Sequence, residues 1–264
     1  MSRYSKMFER LASRGEGAFG AFLMLGDPDL ATSAALLDAA VEGGADMIEV
    51  GIPFSDPIAD GPVIQAAAQR AFAAGVKVAD CLGLIADFPF RHPNVPVGVL
   101  TYANLVMAGR GFMRCAAEAG ADSLLVADVP VLEAEPFVRQ AEQAGLEAVL
   151  IAAANTPDAT LRRIASMSKA YTYCVSRTGI TGTHSAGQWD EELIRRLEAA
   201  GAPPPVFGFG IFAPDHVRAA LAAGAAGTIS GSAIVGAAAE SGFSPASVAG
   251  LVSTLKAATI RCAA

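Results

Sequence analysis

The feature that most constrains the fold is a regular alternation between short apolar segments and segments of helical periodicity. Helix start signals separate the apolar segments, with proline in the first turn after Asp27, Thr156 and Ala213. Alternation of this kind is typical of parallel sheets whose strands are joined by helices. Eight apolar segments predict strands: residues 17–25, 45–52, 95–102, 121–129, 146–153, 170–176, 205–210 and 227–231.

Four similar tetrads mark points where a predicted helix leads into a predicted strand. Each ends its helix on a glycine, the residue that most readily adopts the backbone conformation of a helix C-terminus. Their recurrence indicates a repeated βα unit. The tetrads are GGAD at residues 43–46, AGAD at 119–122, AGLE at 144–147 and AGAA at 223–226.

Eight such units in 264 residues predict an α/β protein built as a (β/α)8 TIM barrel. A doubly wound open sheet more usually has about five to seven strands. We expect an extra N-terminal helix before the first strand. We also expect a single domain over residues 1–264, because no linker or shift in composition divides the chain. In such barrels the active site lies on the loops that follow the strands.

The composition narrows the class of ligand. Hydrophobic residues make up 53% of the chain and charged residues 17%, with a net charge of −7 and no run rich in lysine or arginine. Nucleic acid and anionic membrane surfaces are therefore unfavourable partners. No apolar run approaches the ~18 residues of a membrane span, and the N-terminus lacks the apolar region of a signal peptide. We expect a cytoplasmic protein with a small-molecule ligand.

Glu49 is an acidic residue inside the second predicted strand. Side chains alternate along a strand, so Glu49 shares a face with Met47, whereas Ile48 and Val50 share the other. The branched apolar face suits the side under the helices, which turns Glu49 into the barrel. Burial there raises the pKa of a carboxyl group, as a proton donor near neutral pH requires. The alternative is a structural ion pair, but no basic residue falls on the inner face of a predicted strand.

Two aspartates, Asp56 and Asp60, lie in the loop PFSDPIADG that follows this strand. Both are within reach of Glu49. Aspartate is also a common turn former, so each has a structural alternative. The spacing leaves open which of the two takes part in chemistry.

Glycine-rich loops follow the last two predicted strands. GFGI occupies residues 208–211, and SGSAIV at 230–235 contains Ser232, which we predict to cap a short helix. Small residues let backbone N–H groups approach a phosphate, and a helix N-terminus favours negative charge. These loops are the usual phosphate site of such barrels, although glycines also simply shape turns.

Apolar and aromatic residues near the tops of other strands suggest a substrate with a flat apolar part and a phosphorylated tail. Each alone is an ordinary core residue. The sequence contains no cluster with metal-ligand spacing, so we predict no metal site. The apolar residues are Phe22, Leu100, Leu125, Ile151, Tyr173 and Phe209.

At this point the chain resembles one family, the tryptophan synthase α subunits. The resemblance extends over nearly the whole chain, and the GIPFSDP-x-ADGP run is its most specific part. The motifs that carry it, in order, are LGDPD at 25–29, IEVGIPFSDPIADGPVIQ at 48–65, YANLV at 102–106, LVADVP at 125–130, YTYCVSRTGITG at 171–182, GFGI at 208–211 and AGAAGTISGSAIV at 223–235.

The resemblance implies a retro-aldol cleavage of indole-3-glycerol phosphate to indole and glyceraldehyde 3-phosphate. It implies that Glu49 is the general acid, which protonates C3 of the indole ring, and that Asp60 interacts with the indole N–H. It also implies a Thr181 that closes over the site and contacts Asp60, with Arg177 supporting that loop. The remaining implied substrate contacts are Phe22, Leu100, Tyr173 and Phe209 around the indole, and Gly210, Gly231 and Ser232 at the phosphate.

The resemblance further implies a tryptophan synthase β subunit as partner in an α2β2 complex, with pyridoxal phosphate only in that subunit. Met24 and Phe212 depart from the residues usual in the family. Two alternatives are a free-standing lyase that releases indole and a non-catalytic paralogue that acts as an interaction partner. The residues implied to face the β subunit are Pro53, Phe54, Asp56 and Asn104.

Overall fold

The computed structural model describes residues 1–108, 111–175 and 189–260. Within these ranges all the strand pairs of the sheet are parallel. The strands are β1 (Ala18–Met24), β2 (Met47–Gly51), β3 (Val97–Thr101), β4 (Ser123–Val126), β5 (Glu147–Ala148), β6 (Leu150–Ala153), β7 (Thr172–Val175), β8 (Pro205–Phe207) and β9 (Gly227–Ser230).

The sheet closes on itself through the fifth predicted strand. The order of strands is β5-β4-β3-β2-β1-β9-β8-β7-β6. The strands at the two ends of this order, β5 and β6, are consecutive in the chain and are separated only by Val149. The Val149 N–H donates to the carbonyl of Leu124, which continues the alignment with β4. The predicted barrel is therefore confirmed, and the ninth strand arises because the fifth is interrupted once.

The helices separate the strands as the alternation predicts, and the extra N-terminal helix is present. In the described ranges, no helix is long and apolar enough to cross a membrane. The helices are α1 (Arg3–Ser13), α2 (Leu30–Glu42), α3 (Pro62–Ala73), α4 (Val78–Arg91), α5 (Ala103–Ala108), α6 (Phe112–Glu118), α7 (Glu135–Ala144), α8 (Asp158–Met167), α9 (Glu191–Ala199), α10 (Pro214–Ala222), α11 (Ser232–Glu240) and α12 (Pro245–Ala257), with a 3-10 helix at Val131–Glu133.

The strand residues divide between two buried clusters, as side-chain alternation requires. In β2, Ile48 and Val50 pack in the layer under the helices. Met47 lies on the opposite face, in an inner cluster with Phe22 of β1 and Tyr173 of β7. The barrel interior is therefore filled by side chains, and the residues that face it are those of the predicted inner face.

Helix α1 closes the end of the barrel at which the strands begin. Its Tyr4 is 1% exposed and packs in the inner cluster. The Tyr4 hydroxyl and the Ser123 hydroxyl lie 2.9 Å apart, and the ring centroids of Tyr4 and Tyr171 lie 5.5 Å apart. Arg3 pairs with Asp122 at 2.7 Å. This helix therefore seals one end and leaves the other for ligands.

The aspartates of two tetrads tie this closed end together. Asp46 accepts a hydrogen bond from the Phe19 N–H at 3.0 Å and pairs with Lys256 at 2.9 Å. Asp122 accepts from the Val97 N–H at 2.7 Å. In all four tetrads a glycine has a positive φ angle, which confirms the predicted helix ends: Gly44, Gly120, Gly145 and Gly224.

Candidate functional site

Glu49 is the third of the five residues of β2 and faces the barrel interior. It is 3% exposed, and its Oε1 accepts a hydrogen bond from the Tyr171 hydroxyl at 3.0 Å. In the described part of the chain, no lysine or arginine pairs with it. The expected inward orientation is confirmed, and the alternative of a structural ion pair finds no support in these ranges.

The surroundings of Glu49 favour its protonated form. Burial is the main cause, and it raises the pKa of the Glu49 carboxyl to about 7; the Tyr171 hydrogen bond opposes this rise and the nearby Asp60 carboxylate adds to it. The expected increase in pKa is thus confirmed. A carboxyl group with this pKa is able to donate a proton near neutral pH.

Asp60 lies at the open end of the barrel, in the turn that leads into α3. Burial raises its pKa, and a hydrogen bond from the Tyr102 hydroxyl opposes that rise. Tyr102, directly after β3, is 2% exposed. The side chain of Gln65 donates to the Asp60 carbonyl at 2.7 Å, which joins the aspartate to the first turn of α3. Asp60 is therefore held at both its side chain and its backbone.

The other residues of this loop have different surroundings. Pro53 is buried, and Phe54 is half-buried because its ring stacks on Tyr102 at 5.1 Å between centroids. Asp56 is exposed, as is Asn104 in α5. The two aspartates that the spacing left equivalent are thus distinguished by position, since only Asp60 interacts electrostatically with Glu49.

The apolar residues predicted around a flat substrate lie together. Phe22 and Tyr173 are buried in the inner cluster, and Leu100 and Phe209 pack against it. The rings of Tyr173 and Phe209 meet edge to face at 5.8 Å. Gly208 makes room for this arrangement, because a Cβ atom there would lie 1.9 Å from the Tyr173 ring. These residues therefore form an apolar cluster around the buried carboxyl group of Glu49.

The glycine loops after β8 and β9 lie beside this apolar cluster. The Ser230 hydroxyl donates to the Ile211 carbonyl at 2.7 Å, which joins the end of β9 to the loop after β8. Gly231 caps α11 and lies against Phe22, and Ser232 is the first residue of the helix. The prediction that Ser232 is the cap is wrong, because the chain turns into the helix one residue earlier. Gly210, in the loop after β8, is exposed.

Two predicted site residues, Thr181 and Arg177, lie outside the described residues. Of the two departures from the family pattern, Met24 is buried in the inner cluster. Phe212 is half-buried, and its N–H donates to the His216 ring at 3.3 Å. No cluster of possible metal ligands occurs within residues 1–108, 111–175 and 189–260.

Sequence reasoning missed two tyrosines that contact the acids. Tyr171 lies two residues before Tyr173, so the alternation of side chains along a strand predicts that both face the barrel interior. Tyr102 follows β3 directly, where a polar aromatic residue at the active end of a strand indicates a site contact. A tyrosine at either position is also compatible with a hydrophobic core, so the sequence alone did not distinguish these two residues from core residues.

Comparisons with known proteins agree with this geometry. The profile of the family described as tryptophan synthase alpha chain matches residues 8–258. The tryptophan synthase alpha chain of Serratia proteamaculans is 48% identical and covers 98% of this chain and 99% of its own length. That of Escherichia coli is 49% identical and covers 89% of each.

Solved structures give the same result. A structure of Mycobacterium tuberculosis tryptophan synthase is 30% identical with a TM-score of 0.90, covering 99% of each chain. Tryptophan synthase subunit alpha from Legionella pneumophila is 30% identical with a TM-score of 0.87 and covers 98% of each chain. The chain therefore belongs to the tryptophan synthase alpha chain family, a family of lyases in tryptophan synthesis.

Proposed function

We propose that this chain cleaves the carbon–carbon bond of indole-3-glycerol phosphate by a retro-aldol reaction. The bond between indole C3 and the first glyceryl carbon breaks, C3 gains a proton, and the hydroxyl on that carbon loses one to become the aldehyde. The products are indole and glyceraldehyde 3-phosphate. The observation that carries this proposal is a buried acid with a pKa of about 7, set among aromatic side chains inside the barrel.

Glu49 acts as the general acid. Because indole is a poor leaving group as a carbanion, the ring must be protonated at C3 before or as the bond breaks. A carboxyl with a pKa of about 7 is partly protonated near neutral pH. Once it has given up its proton, Glu49 is a base that receives the proton of the glyceryl hydroxyl. The Tyr171 hydroxyl orients the group throughout.

Asp60 stabilises the charge that develops on the ring. Protonation at C3 makes the indole nitrogen positive, so a carboxylate beside the N–H lowers the energy of that state. Tyr102 supports this role because its hydrogen bond to the Asp60 carboxylate lowers the pKa of Asp60 and so favours the ionised form.

The substrate enters with its ring between Phe22, Leu100, Tyr173 and Phe209. The phosphate reaches the backbone around Gly210, Gly231 and Ser232, where the N-terminus of the nine-residue helix α11 favours negative charge. Thr181 and Arg177, which lie outside the described residues, are proposed as the residues that close over the site and support that closure, as the resemblance implies. The reaction needs no cofactor in this chain, and pyridoxal phosphate chemistry belongs to the partner subunit.

A tryptophan synthase β subunit is the proposed partner, in an α2β2 complex that passes indole onward. Large exposed apolar side chains support a docking surface at this rim of the barrel, alongside the exposed Asp56 and Asn104. They follow three neighbouring strands, β2, β3 and β4, and are Ile58 at 73%, Met107 at 72% and Leu132 at 64% exposure. In the loop after β2, Pro53 is buried and Phe54 is half-buried.

One assay tests the whole proposal: indole formation from indole-3-glycerol phosphate, with and without a purified β subunit. We expect slow turnover by the chain alone and a marked increase on addition of β. Full turnover alone would indicate a free-standing lyase instead. No indole in either condition would indicate a non-catalytic paralogue, an alternative that membership of the family does not favour.

A further inference from the structure

Helix α3 connects the two ends of the proposed substrate site. Asp60 and the cap Gly61 immediately precede its first residue, Pro62. Farther along, α3 packs against α11, the helix whose N-terminus carries Ser232. The position of α3 relative to α11 therefore sets the distance between the carboxylate at the indole nitrogen and the proposed phosphate site.

The packing around these two helices includes several small side chains. Ala67 and Ala68 of α3 are buried in the inner cluster together with Val235 of α11. The Val63 side chain lies 3.9 Å from the position of a Cβ on Gly236. Small residues allow close approach but interlock little along the helix axes. Packing alone therefore restricts the distance between the two helix axes more tightly than it restricts sliding of one helix along the other.

Arg70, near the end of α3, adds directional contacts to this packing. Its guanidinium forms a two-pronged ion pair with Asp27 in the loop after β1, with N–O distances of 2.6 and 2.8 Å. The Asp27 side chain is only 6% exposed and that of Arg70 is 32% exposed, so the carboxylate is shielded from solvent and the guanidinium is partly so. Such a geometry restricts both distance and angle.

The same guanidinium reaches the other end of α11. The Arg70 Cζ atom lies 5.4 Å from the ring centroid of Phe243, in the turn after α11. Phe243 has a φ of +63°, a conformation that is unfavourable for a residue with a side chain. Its N–H donates to the Ala238 carbonyl within the helix. Arg70 thus holds α3, the β1 loop and the end of α11 in one arrangement.

We propose that Arg70 is a positioning residue that sets the spacing between Asp60 and the phosphate-binding end of α11. This inference rests on the proposed function, because the spacing matters only to a substrate with an indole at one end and a phosphate at the other. Arg70 touches neither end; it acts through α3 and Phe243.

Binding measurements with whole and half ligands test this role. The probes are indole, glyceraldehyde 3-phosphate, and an uncleavable two-ended ligand in which a propyl phosphate is attached to indole C3. Their dissociation constants are measured by calorimetry for the wild type, Arg70→Ala and Arg70→Lys. Arg91→Ala is the matched control, because Arg91 also pairs with an aspartate, with its Nε donating to both oxygens of Asp38, but joins α4 to α2.

We expect Arg70→Ala to bind the two-ended ligand about tenfold more weakly, while both half ligands keep their wild-type affinities. Arg70→Lys keeps the charge but loses the two-pronged geometry, so the same pattern is expected, and it replaces the alanine variant if that one does not fold. Arg91→Ala should change none of the three. A purely structural role of Arg70 would lower the unfolding temperature without separating whole from half ligands.

Unchanged affinity of the folded Arg70 variants for the two-ended ligand would overturn the inference, as would an equal loss for all three probes. A failure of the proposed function would give a different result from either of these. In that case the wild type itself would bind the two-ended ligand no more tightly than indole.

Discussion

The two ends of the barrel are built in opposite ways. At the end where the strands begin, α1 covers the opening, and charged side chains such as Arg3 and Asp122 are paired with one another. At the other end, Asp60 and Glu49 have raised pKa values and no basic partner in the described part of the chain. At the closed end Asp122 is paired with Arg3, although burial raises its pKa as well, whereas at the open end, within the described ranges, Glu49 and Asp60 are left without a basic partner, as groups used in chemistry often are.

Glu49 lies where these two regions meet. Its hydrogen-bond partner Tyr171 packs against Tyr4 of the closing helix, whereas its electrostatic neighbour Asp60 belongs to the open end. The comparison predicts that substitutions of the unpaired acids, Glu49 and Asp60, change activity and leave the fold intact. Substitutions at the closed end should change stability first.

The largest effect is expected from Glu49→Gln. The amide still accepts the Tyr171 hydrogen bond but donates no proton to indole C3, so indole release should fall by about 10³-fold or more. Single-turnover cleavage of indole-3-glycerol phosphate measures this, and circular dichroism checks the fold. Turnover near that of the wild type would contradict the proposed acid.

Asp60→Asn should have the next largest effect, a loss of roughly 10²-fold to 10³-fold, because a neutral amide stabilises the charge on the indole nitrogen poorly. The matched control is Asp56→Asn in the same loop, which should match the wild type when assayed without the β subunit. Equal loss in both variants would mean that the two aspartates have been assigned the wrong roles.

Glu49→Gln should also stabilise the fold above neutral pH. The folded-state pKa of about 7 exceeds the ordinary 4.5, so wild-type stability is complete below pH 4.5 and falls as the pH rises to about 7. The total loss corresponds to roughly 3 kcal/mol, and the glutamine variant lacks it. Urea unfolding of both proteins at pH 5 and pH 8 measures the difference. If the difference in unfolding free energy between the two proteins did not increase with pH, ionisation of Glu49 would not destabilise the folded state, contrary to this prediction.

The smallest effect is expected at the closed end, from Gly98→Ala in β3. A Cβ there would lie 2.8 Å from the Ser123 hydroxyl and 2.9 Å from the Tyr4 hydroxyl, and it would push α1 outward. We expect a loss of about 2 kcal/mol in the free energy of unfolding. Gly83→Ala is the control, since no atom beyond its chain neighbours and the backbone of its own helix lies within 4 Å of its Cβ position, and alanine there should stabilise α4 slightly. Equal effects of the two substitutions would contradict the tight packing beneath Glu49.

Much of the architecture could be read from local patterns. The tetrads at the ends of helices located the starts of strands, because glycine at those points adopts a backbone conformation that other residues avoid. The cap of α11 was predicted one residue late, at Ser232. That error arises because a glycine and a serine are both acceptable caps, and the path of the chain after β9 decides between them.

The sequence by itself determined the barrel and the inward direction of Glu49, because the period of a helix and the alternation of a strand are properties of the local backbone. Only the tertiary structure decided which groups surround that acid and hold the site. Tyr171 is 122 residues from Glu49 and Arg70 is 43 residues from Asp27. Such contacts depend on how distant segments meet in space, and so does the desolvation that raises the pKa of Glu49.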